Sequence, residues 1–208
     1  MNNNCSPFII LTTQRSRSSY FYNILKNNIK GDLNDFGELG QDKRIWDFYK
    51  EDYTIRYTNL NVPYLLNYDE KKIFSKMKNN DFVKVMYNQT KIDSILNKNI
   101  KIIHLVRDCE EVAISSLKAQ KTGIYHLKNS KDKDDYNTNI DNIKIDKNEI
   151  DKKKKEIEFQ QNIYKEFLEQ NNLDYITIDS NNIDWNLIET FLGVKINDFS
   201  SDFIPLNE

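Results

Sequence analysis

The stretch from Phe8 to Leu25, FIILTTQRSRSSYFYNIL, limits what this chain can fold into more than any other. Phe8, Ile9, Ile10 and Leu11 form a short apolar run bounded by Pro7 and by polar residues, the pattern of a parallel strand buried on both faces. The polar segment Thr12 to Arg17 follows, and then Ser18 to Leu25, where apolar residues recur at helical spacing and Ser18 can serve as N-cap. Strand, tight polar loop and helix start is the geometry of an anion cradle. Free backbone N–H groups and the positive end of the helix dipole converge there, and Arg15, Arg17 and several hydroxyls add charge and donors. The loop holds no glycine and lacks G-x-x-x-x-G-K-[ST], which argues against a kinase or GTPase built on that motif.

The segments that follow alternate. Gly31 to Gly40 (GDLNDFGELG) reads as a loop with Glu38 inside it, Gln41 to Asp52 as helix-like, and Tyr53 to Leu66 as aromatic and irregular. Asp69 to Asn79 predicts a helix, Phe82 to Tyr87 a strand, and Thr90 to Leu96 a short helix capped by Thr90. Ile100 to Val106 is the strongest strand by its β-branched run. Residues from about 128 to 145 are rich in Lys, Asp and Asn and read as a mobile charged loop. A long helix from about Asp146 to Asn171, a strand at Tyr175 to Ile178 and a helix at Trp185 to Leu192 complete the chain. Strands alternating with helices imply βαβ units: an α/β fold, P-loop-like, with a central, mostly parallel sheet flanked by helices. A length of 208 residues fits one domain over residues 1–208.

A second anion-binding pattern begins where the strongest strand ends. Arg107 stands at the carboxyl end of that strand, where open α/β sheets bind their ligands. Asp108 can cap the helix behind it, Glu110 and Glu111 favour its first turn, and Ser115 lies about two turns along.

Composition narrows the classes. A net charge of -2 makes no general case for nucleic-acid binding, so any anion site is local. Two cysteines, Cys5 and Cys109, do not make a disulfide framework and fit a reducing compartment. The two histidines and two cysteines show no ligand spacing, so no metal site is expected. No apolar stretch reaches membrane-spanning length and MNNNCSP lacks the features of a signal peptide, so the expected location is cytoplasmic.

Together the two anion patterns resemble those of the sulfotransferases that use 3'-phosphoadenosine 5'-phosphosulfate (PAPS), in particular the bacterial carbohydrate-sulfotransferase branch. Arg15, Ser16, Arg17, Ser18, Ser19 and Tyr20 sit on the family's 5'-phosphosulfate loop, [KR]-[ST]-G-[ST]-[ST] followed by an aromatic or leucine, with Arg17 in place of the glycine. LVRDCEEVAISS is similar to the 3'-phosphate motif, with Arg107 and Ser115 on its two phosphate-binding positions. Lys118 to His126 resembles the branch's A-x-x-T-G-x-W/Y stretch, and YITIDSNNI with FLGV resembles the late strand, acidic turn and helix.

The resemblance implies transfer of a sulfuryl group from PAPS to an acceptor hydroxyl by in-line displacement, with PAP as product and a small-molecule or carbohydrate acceptor. It assigns Ser16, Ser18, Ser19 and the loop amides to the 5'-phosphate, Arg107 and Ser115 to the 3'-phosphate, Tyr20 to the adenine and Arg15 to the oxygen bridging phosphate and sulfur. Glu38, in DFGELG, falls where bacterial relatives carry the general base; His126, Asp35 and Asp42 are the alternatives, and His104 lies inside a buried strand. The competing functions are a small-molecule kinase or nucleotide phosphotransferase of related fold, and a non-catalytic nucleotide-binding protein.

Overall fold

The computed structural model describes residues 5–29, 33–57, 63–123 and 143–196. In chain order these form β1 (Phe8–Thr12), α1 (Ser18–Asn28), β2 (Asn34–Glu38), α2 (Arg44–Tyr49), β3 (Thr54–Tyr57), β4 (Pro63–Leu66), α3 (Glu70–Lys76) and β5 (Asp81–Met86). After two 3-10 turns, Tyr87–Gln89 and Ile92–Ile95, come β6 (Lys101–Val106), α4 (Cys109–Thr122), α5 (Lys147–Gln170), β7 (Tyr175–Asp179) and α6 (Trp185–Leu192).

Five strands make one sheet in the order β2-β5-β1-β6-β7, every neighbouring pair parallel. β1 is central and all five of its residues are buried, which is why it reads as an unbroken apolar run. Ile9 and Leu11 face a layer containing Trp46, Phe74, Tyr164 and Leu168. Phe8 and Ile10 face the other layer, with Phe21, Leu25, Ile188 and Leu192. This is the α/β arrangement with a parallel central sheet expected from the alternation of segments.

The order of strands positions the site. The chain leaves β1 for the β2 edge, returns through β5, and then crosses β1 to reach β6 on its other side. The connection after β1 therefore leads toward one edge of the sheet and that after β6 toward the other, so they part between these two neighbouring strands. A crevice opens at such a point beyond the carboxyl ends of the strands. α4 starts there, its N-cap Asp108 accepting from the Glu110 and Glu111 amides at 3.0 and 2.9 Å. It packs on α5 through Val112 and Ala113 against Ile157.

Several local expectations are corrected. Asn34–Glu38, expected within a loop, is the edge strand β2, because its backbone pairs with β5 through an irregularity between Asp35 and Glu38. Gly37 makes that irregularity possible: its φ is +72°, and a Cβ there would lie 2.3 Å from Asp42 Oδ2. The stretch expected to be irregular contains the antiparallel pair β3 and β4. Thr90 does not cap the short helix, which is a 3-10 turn entered through Lys91. The N-cap of α1 is Arg17 and not Ser18, which is the first helical residue. The charged stretch from about 128 to 145 lies mostly outside the described residues. Among the described residues no helix is long and apolar enough to cross a membrane.

Candidate active site

The loop after β1 is braced from within. Thr12 Oγ1 lies 2.6 Å from Ser16 Oγ and donates to the Leu105 carbonyl at 2.8 Å, tying the loop to β6. Ser16 is fully buried and its hydroxyl donates to the Thr13 carbonyl at 2.8 Å. Its side chain thus shapes the loop from within. Arg15 and Arg17 both adopt left-handed conformations, with φ of 64° and 59°. That path turns the chain into α1, whose first intrahelical bond runs from the Phe21 amide to the Arg17 carbonyl at 3.1 Å. The amides of Ser18, Ser19 and Tyr20 precede that bond and lack intrahelical partners. Ser18 is buried, Ser19 and Tyr20 are half-buried, and Tyr20 packs against the α1 side of the core.

The β6 side meets the loop directly. Arg107 is 6% exposed; its Nη1 donates to the Arg15 carbonyl at 3.1 Å and its Nε to Glu111 Oε2 at 2.8 Å. Burial holds the Arg107 guanidinium below its ordinary value, and the charge of Arg17 pushes it further, against the opposing pull of Glu111. Ser115, buried on α4, accepts from Arg15 Nε at 3.1 Å. The structure therefore brings Arg15, Arg17, Arg107 and Ser115 to one place, although 100 residues separate Arg15 from Ser115.

On the β5 side stands a cation that sequence reasoning overlooked. Lys84 is 7% exposed in the middle of β5; its Nζ pairs with Glu38 Oε2 at 2.8 Å and reaches Ser19 Oγ at 3.3 Å. Gln89 holds the other Glu38 oxygen, its Nε2 donating at 2.6 Å. Glu38 is thus linked to the start of α1 through Lys84. The available signal was a lone charge within the apolar run FVKVM, where burial of a lysine requires a partner. The alternative bases sit differently. Asp35 pairs with Lys26 and Arg44, and Asp42 with Arg44, whose guanidinium is raised well above its ordinary value chiefly by the hydrogen bond to Asp42. His126 lies outside the described residues.

Next to Arg15 a cavity of about 140 Å³ opens between the loop, α4 and α5, with Gln14, Tyr87, Gln120, Glu156 and Gln160 among its lining. Tyr87 forms part of its floor by stacking on Tyr164 at 4.4 Å, and its hydroxyl lies 2.6 Å from Nε2 of the buried His104. Burial, and secondarily the charge of Lys165, pushes the His104 imidazole down to about 4, so it is neutral at pH 7. The neutral ring and the Tyr87 hydroxyl share one hydrogen bond at Nε2 whose donor depends on the tautomer, and Nδ1 has no partner among the described residues. Also among the described residues, no group of three or more His, Cys, Asp or Glu side chains is placed to hold a metal ion.

No curated protein and no solved structure matches the chain. A family model does match: Stf0 sulphotransferase, over residues 64–197, more than half of the chain. The matched span contains Lys84, Arg107 and Ser115, whereas the loop after β1 and Glu38 lie before it and join the site through the contacts just described. With its parallel sheet and converging cations, the chain belongs to the sulfotransferase family of that model.

Proposed function

We propose that the protein transfers a sulfuryl group from PAPS to a hydroxyl of a small-molecule or carbohydrate acceptor. The observation that carries this reading is the bond from Arg15 to Ser115, which joins the loop after β1 to the helix after β6 in a chain of the sulfotransferase family. A nucleotide with phosphates at both its 5' and 3' positions needs two such anion sites side by side.

The amides of Ser18, Ser19 and Tyr20, at the positive end of α1, hold the 5'-phosphate together with the Ser18 and Ser19 hydroxyls. Ser16 supports the cradle by shaping the loop from within. Arg107 and Ser115 hold the 3'-phosphate, and Tyr20 lies against the adenine. The cationic residues and unpaired helix amides fit such a ligand, as does the buried Arg17 Nε that lacks an acceptor among the described residues.

The acceptor hydroxyl oxygen forms a bond to sulfur while the bond from sulfur to the bridging oxygen breaks. The electron pair of the broken bond stays on the leaving phosphate, and the hydroxyl proton passes to Glu38. Arg15 meets the charge that grows on the bridging oxygen, and a preorganised donor at such a position lowers a barrier by roughly 3 to 4 kcal/mol. Lys84, between Ser19 and Glu38, faces the transferred group from the other side. The cavity beside Arg15, lined by amide side chains, suits an acceptor that presents hydroxyls.

Calorimetric titration tests the reading. PAP binds without Mg²⁺ and ATP does not; binding of ATP with Mg²⁺ in place of PAP would transfer the protein to the phosphotransferases. Binding of PAP with no sulfate transfer to any of a panel of sugars and small alcohols would leave a nucleotide-binding protein.

A further inference from the structure

Arg17 occupies a position where glycine would be least strained. Its φ of 59° and ψ of 19° lie in the left-handed region, where a Cβ crowds the following carbonyl oxygen. It caps α1 without a side-chain capping bond. Its Nε is buried and has no acceptor among the described residues, although buried donors are nearly always satisfied. Arg17 is also near enough to Arg107 for the like charges to oppose each other, and Arg107 is fixed there by the Arg15 carbonyl and by Glu111. An unsatisfied donor and a repelling neighbour therefore coincide at one residue beside the cradle. Such a combination persists where a ligand completes it.

We propose that Arg17, which stands where the resembled loop carries glycine, is a phosphate ligand, its guanidinium closing with that of Arg107 on the 3'-phosphate of the nucleotide. One anion between the two arginines satisfies the buried Nε and cancels the repulsion. Glycine in the same turn offers the 5'-phosphate only its backbone; arginine preserves the turn and adds a cation on the β6 side. The inference rests on the PAPS reading above and assigns it a further contact.

The test compares wild type with Arg17→Gly and Arg17→Lys by calorimetry and thermal melting. The probes are PAP and adenosine 5'-phosphosulfate, which lacks the 3'-phosphate. Without nucleotide, Arg17→Gly melts at the same temperature as wild type or higher, because the left-handed strain and the repulsion are both gone. It binds PAP roughly tenfold to a hundredfold more weakly, the range of a charge-assisted contact, and adenosine 5'-phosphosulfate within about twofold. Arg17→Lys keeps the charge and falls between the two for PAP. Unchanged PAP affinity in Arg17→Gly makes Arg17 a plain loop residue, and equal losses for both nucleotides move its charge to the 5'-phosphate; either overturns the proposal. A lower melting temperature for both ligand-free variants would show a structural role and overturn it as well. If wild type itself fails to bind PAP, the PAPS reading has failed first, and that result is visible before any variant is made.

Discussion

Arg15 Nε donates to Ser115 Oγ at 3.1 Å, so two side chains assigned to the nucleotide by the proposed function are also bonded to each other. A hydrogen bond from a charged group contributes about 1.5 to 3 kcal/mol, and an incoming anion replaces the neutral hydroxyl with a stronger acceptor, so the bond can be exchanged. Ser115→Ala is therefore expected to weaken PAP binding by only about twofold to tenfold. Arg15→Ala should lower turnover far more than PAP affinity, because its charge matters most when the bridging oxygen becomes anionic. Arg15→Lys keeps part of the rate. Calorimetry alongside steady-state turnover separates these effects, and wild-type turnover in Arg15→Ala would reduce Arg15 to a loop charge.

Arg107→Ala is expected to weaken PAP by roughly tenfold to a hundredfold and to leave adenosine 5'-phosphosulfate nearly unaffected. The pairing of Arg107 with Glu111 does not make it an ordinary surface ion pair, since its side chain is 4% exposed and that of Glu111 is 47% exposed. An exposed pair contributes at most about 1 kcal/mol and would leave nucleotide binding unchanged. Equal losses for the two nucleotides would show that the 3'-phosphate sits elsewhere.

His104 supplies a prediction about stability. Its imidazole is pushed down to about 4 in the folded protein from an ordinary value of 6.5, mainly by burial. Between those two values the unfolded chain binds the extra proton and the folded chain does not, so stability falls as pH is lowered through this window. The loss from pH 7.5 to pH 5 comes to roughly 2 kcal/mol. His104→Gln keeps a hydrogen-bond partner for the Tyr87 hydroxyl and removes the titration. Urea unfolding at the two pH values should show a smaller difference for the variant, and an equal difference would mean that other groups carry the pH dependence.

What could be read from the residues was what local patterning controls. β1 and β6 are apolar runs buried on both faces, the Asp108 cap of α4 is a sequence signal, and α5 begins within a residue of its expected start at about Asp146. β2 was not legible, because NDFGE has little strand propensity and becomes a strand only through its β5 partner and the turn at Gly37. The anion positions were legible singly, as a loop and as an arginine at a strand end. Their contact through Arg15 and Ser115 depends on β1 and β6 lying side by side, which no local pattern states. Lys84 was hidden for a related reason: its strand reads correctly, but its meaning lies in Glu38 and Ser19, on β2 and α1.

The general base remains the most consequential assignment, and its surroundings change what a substitution should do. Glu38 is held by Lys84 on one oxygen and by Gln89 on the other, so it is oriented but also engaged by a cation. In the proposed reaction a sulfuryl group arriving beside Ser19 would compete for Lys84, and the Glu38 carboxylate would then be released to take the acceptor proton. Glu38→Gln should leave PAP affinity within about twofold and lower kcat by roughly a hundredfold or more. Lys84→Met should also lower kcat, whereas Lys84→Arg, which keeps the charge, should retain part of it. The control is Glu156, the carboxylate that lines the cavity beside Arg15. Full turnover in Glu38→Gln together with a collapse in Glu156→Gln would move the base to the α5 wall, and a collapse confined to His126→Ala would move it to that histidine.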